Sequence, residues 1–204
     1  QNTKPLKKNY IILKFLPKEI RYKFYFPLFI IATKLIKLKK NALIISSSHA
    51  WIKNIEKPKN SLHICYCHTP MRYAWDMKDE YLQRENLITK QFIKIFLAYL
   101  RHWDKKHSKN VDFFIANSKE VQSRIKRNYN RESIVIYPPI DTKFFRPTNN
   151  PKRNYYLIVS RLIEYKKTDI AIESFKKLNR ELIIIGSGRD GSRLKTLAKD
   201  SKNI

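Results

Sequence analysis

Residues 155–199 read YYLIVSRLIEYKKTDIAIESFKKLNRELIIIGSGRDGSRLKTLAK, and this stretch decides the fold. Two short apolar runs, Tyr155-Tyr-Leu-Ile-Val159 and Glu181-Leu-Ile-Ile-Ile185, stop at a serine and a glycine. Each is followed by a helical pattern, Asp169 to Leu178 and Ser192 to Lys199. Short apolar runs that end in loop formers are the signature of strands buried in a parallel sheet. Strand, helix, strand, helix in succession implies parallel pairing, because each helix carries the chain back to start the next strand in the same direction.

Upstream the alternation continues. Asn41–Ser46, Leu62–Cys67, Asp112–Ala116 and Ser133–Tyr137 read as strands. A long helix lies between the second and third, with Ile88, Phe92, Ile95, Tyr99 and Trp103 at helical spacing. On that helix His102, Asp104 and His107 read as ordinary surface groups. Ser118 is placed to cap the helix after the third strand, with Val121 and Ile125 inward. The fold class is therefore α/β with parallel sheets. Residues 138–154 (PPIDTKFFRPTNNPKRN) are rich in proline and asparagine and read as a linker. The expected domains are residues 1–145 and 146–204. Two strands cannot make a doubly wound sheet, so the second domain is expected to be truncated. A start at Gln1 without methionine is expected of a chain that begins inside a longer protein.

The charge is strongly one-sided. Lys and Arg total 43 against 17 Asp and Glu, a net charge of +26. This excludes an acidic binding protein and favours phosphates, nucleic acid or a lipid headgroup surface as partners. The chain is 43% apolar and 13% aromatic, enough for a packed core and too much for a disordered tail. Cys65 and Cys67 fall on the same face of a strand. A zinc site shared with His68 would need adjacent strand residues to face one way, so the pair reads as core thiols in a reducing, cytoplasmic compartment. No apolar run reaches the 18 or so residues a spanning helix requires. Residues 1–40 hold eleven Lys or Arg against one acid, Glu19. A helix starting near Pro27 would put Leu28, Ile31, Ala32, Leu35 and Leu38 on one face. Such a helix either lies on an anionic membrane or packs on the core with its lysines solvated. Lys interleaved with Tyr and Phe over residues 4–40 also fits a groove for single-stranded nucleic acid. No RNA- or DNA-binding motif accompanies it, so nucleic acid is not the expected partner.

Three stretches can carry chemistry. All three glycines fall in Gly186-Ser-Gly188-Arg-Asp-Gly191, against roughly 14 glycines at ~7% average usage. The hexapeptide follows a strand and opens a helix, where backbone N–H groups and the helix dipole attract phosphate. It is not a dinucleotide fingerprint, which belongs on the first strand–helix turn of its unit. It reads as a phosphate-facing turn or simply a tight one. The second stretch, Ser160 to Lys167, follows a strand at the end where α/β sheets bind ligands. Arg161 and Lys166 there can clamp a diphosphate, one by bidentate bonds and one as a point charge; the alternative is two solvated surface cations. The third, His68-Thr-Pro-Met-Arg72-Tyr73-Ala-Trp-Asp76, gathers a titratable imidazole, a cation, aromatics and an acid on one loop. His49 and the pair Asn117 and Ser118 likewise stand where strand-like runs end.

The segments CYCHTPMRYAWD, FIANSKEVQSRI, VIYPPIDTKFF, YYLIVSRLIEYKKTDIAIESF and IGSGRDGSRLKTLA, in this order, resemble glycosyltransferase family 4, in its mannosyltransferase-like O-antigen and exopolysaccharide branch. The resemblance implies a GT-B fold of two Rossmann-like domains, acceptor-side first and nucleotide-sugar-binding second. It implies retaining transfer of a sugar, by default mannose from GDP-mannose, to a glycan or polyprenyl-diphosphate-linked acceptor at the inner face of the membrane. No metal or cofactor is implied. Arg161 and Lys166 would hold the donor diphosphate, Gly186 and Gly188 would let the backbone approach the nucleotide, and His68 would face the transferred sugar. His49, Arg72, Tyr73, Asp76, Asn117 and Ser118 would line the acceptor side. The family's paired glutamates, Glu-x7-Glu, have no counterpart here and are expected beyond Ile204. The 204-residue chain alone is accordingly expected to be inactive or nearly so. A basic single-stranded nucleic-acid binder and a catalytically dead scaffold are the competing functions.

Overall fold

The computed structural model describes residues 26–77, 82, 86–147, 151 and 153–204. The basic, aromatic stretch before residue 26 lies outside the described residues. The chain divides into two compact units, residues 1–140 and 141–204. Both are parallel α/β structures.

The first unit runs α1 (Phe26–Leu35), β1 (Leu43–Ser48), β2 (Leu62–Cys67), α2 (Leu87–His107), β3 (Phe113–Ala116), α3 (Lys119–Tyr129) and β4 (Ser133–Val135). The four strands lie in sequence order and all pair in parallel. Right-handed crossovers between strands in sequence order fall on one face of the sheet. That face is the buried one. Strand periodicity turns Ile44, Ser46 and Ser48 of β1, His63, Cys65 and Cys67 of β2, and Phe114 and Ala116 of β3 toward it. Cys65, Cys67, Phe114 and Ala116 meet Val121, Ile125 and Tyr129 of α3 in one apolar cluster. Leu97, Leu100 and Trp103 of α2 form a second with Met71 and Ala74. On the opposite face Leu43, Ile45, Leu62, Phe113 and Ile134 are exposed among the described residues.

Local chemistry explains the boundaries. β1 starts at Leu43 rather than Asn41, because Asn41 takes a left-handed conformation at φ 54° and turns the chain into the strand. Asn86 caps α2 by accepting from the Thr89 amide at 2.8 Å. Ser118 caps α3 from the Val121 amide at 3.2 Å, as the sequence predicts. Asn130, left-handed at φ 54°, ends α3.

The long helix corrects one expectation. Asp104 is not a surface group; it is fully buried. Its carboxylate pairs with the equally buried Lys53 ammonium and accepts from Asn54 Nδ2 at 2.8 Å, Trp75 Nε1 at 2.9 Å and the Tyr129 hydroxyl at 2.7 Å. Burial, with Asp104 beside it, pushes the Tyr129 phenol well above its usual range, so it stays a donor. Five residues from four separate segments thus share one charge. His107 Nδ1 lies 2.8 Å from the Trp103 carbonyl one turn back.

In the second unit β5 (Tyr156–Val159) and β6 (Leu182–Ile185) pair in parallel, followed by α4 (Thr168–Leu178) and α5 (Gly191–Ala198) respectively. Leu162, Ile172 and Leu194 are its buried core, backed by Ile184, Leu197 and Ile204. Asn203 closes the unit, its side chain donating to the carbonyls of Phe175 at 3.0 Å and Arg180 at 2.7 Å.

Candidate functional site

In the second unit the loops after β5 and β6 lie side by side. The ladder does not stop with the strands. Ser160 donates to the Ile185 carbonyl at 3.1 Å, Leu162 to Ser187 at 2.9 Å, and Asp190 back to Leu162 at 3.0 Å. The two loops therefore form one hydrogen-bonded shelf at the carboxyl end of the strands, where α/β sheets present ligands.

The glycines make the shelf possible, for a reason the sequence does not state. None of the three has positive φ. A Cβ on Gly186 would sit 1.9 Å from the Ser160 carbonyl oxygen, and one on Gly188 would sit 2.1 Å from that of Leu162. Both glycines are required by the backbone of the neighbouring loop. Gly191 is different: a Cβ there would meet only the Leu162 side chain, at 3.6 Å.

Arg161, within the first loop, and Lys166, four residues beyond its anchored part, are both exposed. Arg161 projects between the two anchored residues Ser160 and Leu162. Lys166 sits in a short 3-10 turn, Glu164–Lys166, with its ammonium 5.8 Å from the centre of the Tyr165 ring. The next residue, Lys167, is left-handed at φ 54°, a conformation costly for a side chain with a Cβ.

A group the sequence reading missed sits beside them. Arg193 donates to both oxygens of Asp190, at 2.7 and 2.9 Å, and reaches Asp169 at 3.2 Å. These bonds from Arg193 hold the Asp190 carboxyl below its usual range and push the Arg193 guanidinium up. Asp169 lies in the first turn of α4 and Asp190 precedes α5, so the arginine ties two helix starts together. It also places carboxylates where the dipoles of both helices favour them. The start of α5 thus has its own anion, while Arg161, Lys166, Lys167 and Arg189 are exposed cations on these loops. The signal was the spacing Asp190-x-x-Arg193, one helical turn.

In the first unit the register Ser48↔Cys67↔Ala116 makes His49, His68 and Asn117 the next residues out of three adjacent strands. They leave the sheet level with one another, about 4.8 Å apart from strand to strand. His49 and His68 are exposed, and Asn117 is half-buried. His68 Nε2 and Ser47 Oγ share a hydrogen bond of 2.8 Å, and the Tyr66 ring meets the imidazole edge-on at 5.3 Å. Ser47 was not singled out from sequence; strand periodicity alone sets it on the same face as His68.

The rest of the loop is built to be held. Met71 and Ala74 are fully buried, and Trp75 bonds to the buried Asp104. Asp76 is tied to α3, 3.0 Å from Arg127 and 3.4 Å from Arg124, while Arg124 also bonds Thr69 at 3.4 Å. Tyr73 packs against Trp51, ring centres 6.1 Å apart, and Arg72 is half-buried. Ser118 serves as a cap, and its hydroxyl also lies 3.3 Å from the Asn117 amide oxygen. Of the predicted cleft residues, His49, His68 and Asn117 are thus aligned at the edge of the sheet. Asp76 and Ser118 hold backbone in place.

Cys65 and Cys67 are fully buried in the core. Among the described residues no group of three His, Cys, Asp or Glu is arranged to hold a metal ion. No helix among them is long and apolar enough to cross a membrane. Comparison of the chain with protein-family models and with curated proteins returns no match.

Proposed function

We propose that the chain belongs to a retaining glycosyltransferase with two Rossmann-like domains. It transfers a sugar, mannose by default, from a nucleotide-sugar to a glycan or polyprenyl-diphosphate-linked acceptor at the cytoplasmic face of a membrane. The observation that carries this reading is the hydrogen-bonded shelf of residues 160–162 and 186–190, with Arg161 exposed within it and Lys166 exposed in the turn that follows.

Cleaving a sugar–phosphate bond leaves negative charge on the departing diphosphate. Cations fixed beforehand stabilise that charge without reorganising, and one lost donor of this kind typically costs about 3 kcal/mol. Arg161 supplies a planar fork for two phosphate oxygens and Lys166 a compact charge. Gly186 and Gly188 act by holding the two loops together, so the cations sit on a rigid base. In the first unit His68 is assigned to the transferred sugar. Its hydrogen bond with Ser47 fixes the ring orientation and ties the proton of Nε2 to the hydroxyl's own.

The test is protection of the protein by GDP- and UDP-sugars, measured as a saturable rise in melting temperature. Arg161→Ala is expected to abolish it. In the whole enzyme Lys166→Ala is expected to lower turnover far more than it weakens acceptor binding. Unchanged turnover would remove the diphosphate role. Tight, steeply salt-dependent binding of single-stranded RNA that ignores nucleotide-sugars would favour the nucleic-acid function instead.

A further inference from the structure

One helix carries two apolar faces. Leu97, Leu100 and Trp103 of α2 point into the core. Ile88, Phe92, Ile95 and Tyr99 do not: they are 74, 70, 69 and 54% exposed, and Leu87 at the helix start is 80% exposed. At 100° per residue the four fall within about 60° of one another, a stripe roughly 16 Å long on the outer side. Soluble helices do not spend four large apolar side chains on water without a partner.

The charge around the stripe says what that partner is. Lys94, Lys105 and Lys106 of α2 are exposed, with Lys106 on the line of the stripe itself. The one acid of the helix, Asp104, is buried and neutralised by Lys53. The outward surface of α2 therefore carries no acid: the stripe is flanked by exposed lysines and by the neutral Gln91 and His102. The neighbouring helix repeats the combination. Ile30 anchors α1 on the same cluster as Leu97 and Trp103, while Leu28, Ile31 and Leu35 stay exposed beside Lys34. Of the face expected for this helix, Ala32 is buried, Leu28, Ile31 and Leu35 are exposed, and Leu38 lies beyond the helix end.

Other occupants fit worse. A second copy would set lysine against lysine. The chain's first 25 residues carry seven Lys or Arg and one Glu, the same sign again. The open face of the sheet is apolar too, yet its exposed residues Leu43, Ile45, Leu62, Phe113 and Ile134 include no charge. An apolar stripe edged by lysines on a convex helix is the form of a helix lying in a bilayer interface.

We propose that the Ile88–Tyr99 stripe of α2, with Lys94, Lys105 and Lys106, is a docking surface for an anionic lipid bilayer. The apolar side chains enter the acyl boundary and the lysines meet the headgroup phosphates. This gives the membrane-side reading above a definite surface, and it stands on α2 alone, without the diphosphate clamp.

The experiment is co-sedimentation of the full chain with vesicles of phosphatidylglycerol and phosphatidylcholine at low and moderate salt. Binding is expected to need the anionic lipid and to fall with salt. Phe92→Ser with Ile95→Ser is expected to weaken partitioning about tenfold or more. Lys94→Glu with Lys105→Glu is expected to weaken it about fivefold per site or more. All four positions are exposed, so the melting temperature is expected to hold, which separates lost docking from lost folding. Absence of binding at low salt overturns the proposal, as does binding indifferent to Phe92→Ser and Ile95→Ser. A wild-type dimer dispersed by those changes, without vesicle binding, also overturns it and makes the stripe a protein interface. Arg161→Ala is expected to lose nucleotide-sugar protection and keep vesicle binding, so the two proposals fail separately.

Discussion

Replacing Gly188 by alanine is the sharpest test of how the second unit is built. The added methyl would stand 2.1 Å from the Leu162 oxygen, 2.7 Å from its carbonyl carbon and 2.9 Å from its nitrogen. All three are backbone atoms, so no side-chain rotation relieves the clash. The loops must part, and the bonds from Leu162 to Ser187 and from Asp190 to Leu162 go with them. Each bond contributes about 1 kcal/mol, and leaving its groups partly buried without partners adds about as much again. The expected loss is about 2–4 kcal/mol, in a unit whose buried cluster centres on Leu162, Ile172 and Leu194. For a domain this size that lowers its melting temperature by roughly 10–30 °C. Calorimetry reads the loss, and hydrogen exchange at the Leu162 and Asp190 amides places it. Gly191→Ala is the control, since its methyl meets a side chain at an ordinary 3.6 Å. It is expected to leave stability unchanged or raise it by up to about 1 kcal/mol, because the residue starts a helix. Wild-type melting and amide protection in Gly188→Ala would refute the account of close backbone approach.

Asp104→Asn leaves the Lys53 ammonium buried without its counter-charge and is expected to cost about 3–5 kcal/mol in urea denaturation; a loss below about 1 kcal/mol would mean water reaches the site. Burial holds the His63 imidazole below its ordinary 6.5, against its bond to the Asn110 carbonyl and the nearby Asp112 charge. The unfolded chain therefore takes up this proton first on acidification. Stability is full above about pH 6.5 and falls as the pH drops below it, by at most about 1.4 kcal/mol per pH unit; His63→Gln is expected to flatten that slope in melts from pH 7.5 to 5. Asp112 is pushed up by burial but pulled down further by Lys57 and the His63 amide, so it adds a second loss at lower pH. Lys57→Ala is expected to shrink that loss and, because the Lys57 charge also helps hold His63 down, to soften the limb near pH 6 only slightly. Wild-type acid profiles in both variants would contradict the assignment.

Much of this protein is local and was legible in the sequence. Short apolar runs followed by Ser, His, Asn, Pro or Gly mark the six strands, because a buried strand needs apolar side chains within it and loop formers after it. The cap at Ser118, the turn at Lys166 and the place of Arg161 at a strand's end follow from neighbours in the chain. Tertiary structure decided whatever depends on residues far apart. Asp104 reads like any acid on a lysine-rich helix until folding sets Lys53 against it, 51 residues earlier. Gly186 and Gly188 look like a nucleotide turn, yet the atoms that forbid a side chain there belong to Ser160 and Leu162. Ile88, Phe92, Ile95 and Tyr99 have the spacing of a core face. Only packing shows that Leu97, Leu100 and Trp103 took that role and left the others outside. Periodicity fixes which residues share a face; what the face meets is set by distant segments.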